Sequence, residues 1–454
     1  MAEFDRRQFL RHGGNAGLGL AAAAMTDTAR ADDKPASPAE RLTLAVIGLR
    51  GRGRHLAHDF AARKDCRVAY LCDVDLTVPP TQAKEIEQSQ GSAPRTVQDF
   101  RRALDDKSVD AVVIATPDHW HALATVWACQ AGKDVYVEKP VSHSPWEGRQ
   151  MVKAARKYDR IVQAGTQNRS APYIHAAKDY LDSGKLGSIH LVRVFNQKYQ
   201  DNPQPAVEGT PPAQLDWNMW TGPAPLSSYN ANDHRRWNCF WRYSGGDVAN
   251  DAVHQLDLAR WLTGQDYPRT VYATGGRFAE TGVAESPDTQ IAVYEFPKLV
   301  MTFELTLYTP YMIKSDAGIR DGDLYPYWPQ NTERVEIFGS KGLMVVGRMG
   351  AGWQVFDRQK DRQPVIVAQQ HGKFPDPEHQ QNFVDAVRSR KLPNADIEQG
   401  HRSTLLCHYA NISYRLGSRK LTIDPATESF VDDAEANGYL KREYRAPWIV
   451  PDVV

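Results

Sequence analysis

The chain lacks any cysteine pair spaced for a metal or a redox motif. Its five cysteines (Cys66, Cys72, Cys129, Cys239, Cys407) contain no C-x-x-C, and their number is odd, so at least one has no partner within the chain. They read as buried small apolar residues, not as a disulfide framework or a metal site. Charge of one sign is also lacking: 55 Lys and Arg stand against 55 Asp and Glu. Bulk electrostatics therefore gives no reason to expect nucleic acid as a partner. No internal repeat is found, which argues against a solenoid. What remains is a composition of 41% hydrophobic and 24% charged residues over 454 positions. That is long enough for two or three globular domains.

The first 31 residues read as a targeting segment. Arg6-Arg7 precedes the apolar pair Phe9-Leu10, a Gly/Ala-rich stretch (Gly13–Ala24) follows, and Ala29-Arg30-Ala31 offers an A-x-A cleavage site. In that order these are the parts of a twin-arginine export signal. Its apolar stretch is too short for a membrane anchor. Removing it takes four basic and three acidic residues, so the mature chain stays near neutral. The twin-arginine route carries folded proteins, so a nucleotide can be loaded before export and carried out bound. Residues 32–40 read as a linker.

From 41 the pattern alternates strand and helix. Apolar runs at 42–47, 67–72, 110–115, 134–138 and 161–165 are separated by helical spacers such as Trp120–Ala131, which predicts a doubly wound parallel sheet over 41–167. Beyond 168 a helix is expected at 171–183 and a strand at 187–195. A Pro- and Trp-rich irregular segment spans 202–243, and its length points to function. Alternating strands at 270–277, 289–296, 299–306 and 334–346 predict a largely antiparallel sheet, with helices at 376–390 and 397–416. The expected second domain is 168–419, with 420–454 a polar tail carrying aromatic anchors.

The chemistry concentrates at predicted strand ends. Leu42–Ile47 runs into Gly48-Leu-Arg-Gly-Arg-Gly53, a glycine-rich turn opening a helix, where backbone N–H groups and the helix dipole favour a pyrophosphate. The middle glycine, Gly51, sits one residue later than in G-x-G-x-x-G, and Arg50 stands in its place. Asp73, 20 residues past Gly53, is placed for the ribose hydroxyls. Arg50 and Arg52 are candidates to hold the phosphates tightly. Thr116, Pro117, His119 and His121 lie at the same rim; the two histidines have no third ligand nearby, so no metal is assigned. Glu138-Lys139-Pro140 ends the predicted strand at 134–138 and puts a lysine over a nicotinamide. In the stretch Gly245–Trp261, read as one helix, Asn250 and Asp251 are helical neighbours of His254. A carboxylate there would raise the basicity of His254 as a general base.

Together the Gly48–Gly53 loop, Asp73, the Ala115–His121 segment, Glu138-Lys-Pro140 and the Gly245–Trp261 stretch resemble the glucose–fructose oxidoreductase/inositol dehydrogenase (Gfo/Idh/MocA) family. Gly165-Thr-Gln167, the Trp217–Pro225 stretch and the Arg442–Pro451 ending are similar to its exported bacterial branch. The resemblance implies an N-terminal Rossmann domain and a C-terminal α/β domain with a large open sheet that often mediates homo-oligomers. It implies NAD or NADP, of which Asp73 favours NAD. It also implies sugar, polyol or glycoside substrates, a lysine carried onto Lys139 and a histidine base carried onto His254. The family's acid four residues before that histidine is Asn250 here, so its role stays open between Asn250 and Asp251. Gln167 and Trp241 are added as substrate contacts. Two activities are expected: oxidation of a ring hydroxyl, or redox-neutral glycoside cleavage through a transient keto-sugar.

Overall fold

A computed structural model describes residues 41–454, except 201–202, 280–281 and 314–315. The expected export signal and linker lie outside the described residues. No helix among the described residues is long and apolar enough to cross a membrane.

The first domain runs β1 (Leu42–Ile47), α1 (Arg52–Ala61), β2 (Cys66–Cys72), α2 (Pro79–Gln90), β3 (Arg95–Val97), α3 (Arg101–Asp105), β4 (Ala111–Ile114), α4 (Asp118–Gln130), β5 (Asp134–Val137), α5 (Pro145–Lys157) and β6 (Val162–Ala164). The six strands are parallel, in the order β3-β2-β1-β4-β5-β6. Both β4 and β5 are buried at every position, which is why their sequences are apolar without alternation. The winding reverses between β1 and β4. A crevice beyond the carboxyl ends of the strands at such a reversal is where an open α/β sheet binds ligands. The sequence reading omits β3, whose three residues are too few for a periodic signal.

The second domain continues with α6 (Pro172–Asp182), β7 (Ile189–Gln197), β8 (Glu208–Gly209), α7 (Trp217–Thr221), β9 (Tyr229–Asn230), α8 (Ala231–Arg235), α9 (Gly246–Asn250) and α10 (Val253–Leu262). Next come β10 (Thr270–Gly276), β11 (Thr289–Glu295), β12 (Val300–Thr306), α11 (Ala317–Arg320), β13 (Glu333–Gly339), β14 (Gly342–Gly347), β15 (Trp353–Lys360) and β16 (Gln363–Gln370). The chain ends with α12 (Asp376–Ser389), α13 (Ile397–Arg415), β17 (Leu421–Asp424), β18 (Ser429–Phe430) and α14 (Ala434–Asn437). Ten strands form one sheet, β16-β15-β14-β13-β7-β12-β11-β10-β17-β18, antiparallel at every pairing except β7 with β12. Burial alternates along β10, β11 and β12. One face packs on helices such as α10 and α13, and the other carries exposed Tyr272, Ile291 and Val300.

Three departures from the sequence reading have local causes. The strand expected at 334–346 is a hairpin, turning at Ser340-Lys341 between β13 and β14. The β15–β16 hairpin was not expected, because β16 is an exposed edge with no apolar face. Residues 245–261 are not one helix: Asp251, at φ −123°, separates α9 from α10. Helix α13 lies between the domains, against α5 and β6 on one side and α10 and β10 on the other. It is buried along most of its length. Several of its buried polar atoms are bonded, as in Ser403 Oγ to Asp257 (2.5 Å) and Asn411 Nδ2 to the Gly245 carbonyl (2.7 Å).

Candidate active site

A cavity of about 490 Å³ opens at the carboxyl ends of β1, β2, β4 and β5 and reaches into the second domain. Its floor is the glycine turn. Gly48 stands at φ 82°, and a Cβ there would lie 2.7 Å from the Ala115 carbonyl oxygen; one at Gly53 would lie 1.8 Å from the Gly48 carbonyl oxygen. Only glycine lets strand, turn and helix pack this closely. Gly51 faces open space, leaving the N-terminus of α1 accessible to an anion. Asp73 lines the cavity at the end of β2. Its carboxylate accepts from the backbone N–H of Leu49 and of Asp75, both at 2.9 Å. Burial pushes this carboxyl above its usual range, and the two N–H bonds oppose the rise. Open space over the turn, an acid at the end of β2 and the unpartnered Thr116 Oγ1 beside them fit a dinucleotide.

Both arginines of the turn line the cavity and each is paired with an acid, Arg50 through one nitrogen and Arg52 through all three. Arg50 pairs with Asp75 at 2.5 Å. Arg52 Nε donates to Glu138 (2.9 Å), and its other nitrogens donate to both oxygens of Asp376 (2.8 and 2.6 Å). Arg52 thus ties the glycine turn to the end of β5 and to the start of α12 in the second domain.

Lys139, Asn250, His254 and Gln167 line the far part of the cavity. Lys139 follows β5, and its Nζ donates to the Asn250 carbonyl. The Lys139–Pro140 bond is cis. His254, in the first turn of α10, is 3% exposed and its Nδ1 has no partner. Burial, and after it the charges of Arg348 and Lys139, hold this imidazole well below its usual range. The expected carboxylate on His254 is absent. Asp251 turns away and pairs with Lys198 of the segment after β7 (2.7 Å), which also pairs with Asp247 (2.9 Å). Burial works to raise Asp251, but Lys198 first, then Arg348 and Lys139, hold it well below the carboxylate range. Asp251 does not line the cavity.

Three other expected contacts also lie outside it. His119 is fully buried; its Nε2 donates to the Trp220 carbonyl (3.0 Å). His121 sits between the carbonyls of Pro140 (2.6 Å) and Thr116 (2.8 Å) and braces the ends of β4 and β5 against one another. Trp241 packs beneath the Arg415 guanidinium (5.1 Å). Among the described residues no cluster of His, Cys, Asp or Glu is placed to hold a metal, and all five cysteines are buried and free.

The described part of the Pro- and Trp-rich segment, 203–243, roofs the cavity. Trp217 and Trp220 stack at 4.6 Å and 9°. Trp120 Nε1 donates to the Met219 and Trp220 carbonyls (both 3.0 Å), which holds the roof on α4. Met219, Trp220, His234 and Trp237 face inward. Sequence reasoning missed Asp118, Arg320, Arg348, Phe374 and Asp376, which also line the cavity. Asp118 was within reach, since it follows Pro117 at the end of β4. The others lie at the ends of helices or on connections, with no motif around them. Asp118 is 1% exposed; Ser244 Oγ donates to its Oδ2 at 2.6 Å and its Oδ1 has no partner. Burial pushes its carboxyl up to about 7, against the pull of Ser244 and Lys139.

This arrangement matches known proteins. The model of an oxidoreductase family with an NAD-binding Rossmann fold matches residues 42–166, and that of its C-terminal alpha/beta domain matches 178–413. The chain belongs to the Gfo/Idh/MocA oxidoreductase family. It is an enzyme with an NAD-binding Rossmann domain. It is 24% identical over 379 residues to myo-inositol 2-dehydrogenase of Thermotoga maritima, covering 82% of this chain and 96% of that one. It is 27% identical over 244 residues to the uncharacterized oxidoreductase YrbE of Bacillus subtilis, covering 54% of this chain and 57% of that one. With that relative the likeness spans little more than half its length. In fold it is similar to the WlbA dehydrogenase of Bordetella pertussis, solved with NADH and UDP-GlcNAcA: TM-score 0.61, 21% identity, 85% of this chain and 99% of that one.

Proposed function

We propose that this protein is an exported NAD-dependent oxidoreductase acting on a hydroxyl of a sugar, polyol or glycoside, with its cofactor tightly held. The observation that carries this is one continuous cavity. The glycine turn and Asp73 stand at one end, and Lys139 and His254 at the other. When bound, NAD supplies a hydride acceptor. His254 is neutral at physiological pH, and so is able to take the hydroxyl proton. Lys139 has ammonium N–H groups beyond the one given to Asn250, and these orient the substrate oxygen. The polyol and sugar-nucleotide ligands named for two relatives support the substrate class. Arg6 to Ala31 support export, and the uncovered face of the ten-stranded sheet supports assembly of identical copies.

Lys139→Ala and His254→Ala should each lower kcat/KM by about 100-fold or more; unchanged turnover in both overturns the mechanism. The absorbance of protein recovered from the exported fraction tests cofactor retention and export together. A band from bound NADH that changes on adding sugar is expected. Arg6→Lys with Arg7→Lys should keep the protein in the cytoplasm.

Asp118 favours a second reading, redox-neutral glycoside cleavage. Transient oxidation makes the neighbouring C–H acidic. A base removes that proton, the glycosidic oxygen leaves with the electrons of its C–O bond and takes a proton, water adds across the C=C bond so formed, and the hydride returns to the carbonyl carbon. His254 and Asp118 supply two proton-transfer groups. Product release without net NADH, with solvent deuterium entering beside the oxidised carbon, distinguishes it.

A further inference from the structure

The His254 end of the cavity carries more positive charge than the redox chemistry needs. Arg348 follows β14 and lines the cavity, with its side chain only 9% exposed. One nitrogen, Nη1, is against Glu333 Oε2 (3.3 Å) and Met349 Sδ, while Nε is buried with no partner. A guanidinium has five N–H donors in a rigid fork, so a buried one satisfied mainly on one edge is short of acceptors. Arg320, at the end of α11, points to the same place. Its guanidinium carbon lies 4.3 Å from the centre of the Phe374 ring, and that of Arg348 lies 5.6 Å from the same ring. The nearest carboxylate to Arg320 is that of Asp321, exposed and 4.0 Å away.

The acids of the cavity are engaged elsewhere. Glu138 and Asp376 are bonded to Arg52, Asp73 to backbone N–H groups, and Asp118 to Ser244. Arg348, Arg320 and Lys139 line the same cavity as His254, and the charges of Arg348 and Lys139 act on its ring against that of Asp251. Glu333 meets one nitrogen of Arg348, and Arg320 has only the exposed Asp321 within reach, so an anion in the cavity would find unused donors on both. The charge of Arg348 acts on His254 more strongly than that of Lys139 does. The anion's place is thus beside the reacting hydroxyl and not at the glycine turn, where the cofactor's phosphates belong.

We propose that the sugar bound beside His254 carries an acid group, a carboxylate or a phosphate, and that Arg348 and Arg320 receive it. This rests on reading the His254 end as the substrate site. The fork of Arg348 suits either acid, since both accept paired N–H donors.

The test uses the full NAD-loaded enzyme and three forms of one sugar: the neutral aldose, its uronic acid and its 6-phosphate. Equilibrium binding to the NADH-loaded protein is measured by calorimetry, apart from kcat/KM. One acid form is expected to bind and react at least ~10-fold better than the neutral sugar, through KM. Which of the two does so identifies the group. Arg320→Gln should lower that ratio toward unity. The pair Arg348→Gln with Glu333→Gln, which removes both buried charges together, should do the same. Arg320 is at a part-exposed turn, so its variant reports even if the buried pair fails to fold. A ratio near unity in the wild type, or one unmoved in Arg320→Gln, overturns the proposal. So does a fall in NADH affinity with the ratio kept, which would give the arginines to the cofactor. Arginine-dependent acid binding without turnover of any sugar supports the anion site and overturns the oxidoreductase reading. Turnover of neutral sugars with no acid preference does the reverse.

Discussion

Replacing Asp118 by Asn removes one titration from the folding equilibrium, and the sign of its effect is fixed. Burial raises the folded carboxyl from 3.8 to about 7. Between those values the native state keeps a proton that the unfolded chain has lost, so stability falls as pH rises. The contribution is fully present below about pH 4, is lost as pH rises through about 7, and is constant above. At about 1.36 kcal/mol per pH unit, the shift from 3.8 to about 7 is worth about 4 kcal/mol, of which about 2 kcal/mol falls between pH 5 and 7. Asp118→Asn keeps an acceptor for Ser244 and has nothing to titrate. Urea unfolding of both proteins at steps from about pH 5 to 8 measures the difference. The buried histidines titrate alike in both and cancel. The variant's stability relative to the wild type should climb by about 2–3 kcal/mol between about pH 5 and 8, levelling off above about pH 7. Parallel curves would refute the reasoning, because they would mean that Asp118 reaches water and ionises normally.

Gly53→Ala drives a Cβ into the Gly48 carbonyl, 1.8 Å away. It should cost about 1–3 kcal/mol of stability and abolish NADH binding by fluorescence titration; wild-type affinity would show that the turn is looser than drawn. Arg169 and Asp257 form an ion pair at 2.8 Å with side chains 4% and 1% exposed. Asp257→Ala should therefore cost about 3–5 kcal/mol in urea unfolding, with much of it recovered when Arg169→Met is added; a loss under about 1 kcal/mol would contradict the burial. Because His254 is held well below its usual range, the acid limb of kcat/KM from this group should lie below pH 6.5. A limb near 7 that disappears in Asp118→Asn belongs to Asp118; one that persists there counts against a neutral His254.

The first domain was legible because burial on both faces turns each central strand into a short apolar run. Gly48 and Gly53 could be read because close approach admits no other residue at either place. Lys139 and Glu138 were found through their position at a strand end. Arg320, Arg348, Phe374 and Asp376 were not, because they reach the cavity from helix ends and connections far along the chain from the glycine turn and Lys139, and no local period records that convergence. His119 and His121 misled for a related reason. A histidine at a rim reads as a ligand contact, yet here both rings satisfy carbonyls that hold the roof and the strand ends. At the glycine turn the ion pairs were not legible either: the acids that pair with Arg52 are Glu138 and Asp376, 86 and 324 residues away.

The break at Asp251 links local sequence to the state of the base. On a continuous helix Asp247 and Asp251, four apart, would share a face and repel. Here Asp247 is buried, Asp251 is partly so, and both turn to one cation, Lys198. Burial works against the charge on that lysine, but Asp247 and Asp251 together hold it above the usual lysine range. The strand β7 is thereby locked to α9, and α10 starts afresh with the His254 N–H bonded to the Asp251 carbonyl (3.1 Å). The acid expected to make His254 more basic is thus used to fix α9. Nothing of opposite charge bonds the ring, and burial with Arg348 and Lys139 keeps it unprotonated. A base that is neutral before the substrate arrives can take a proton without first losing one. The cation that takes the acid away from the histidine thus leaves it unprotonated, but a weaker base than one bonded to an acid would be.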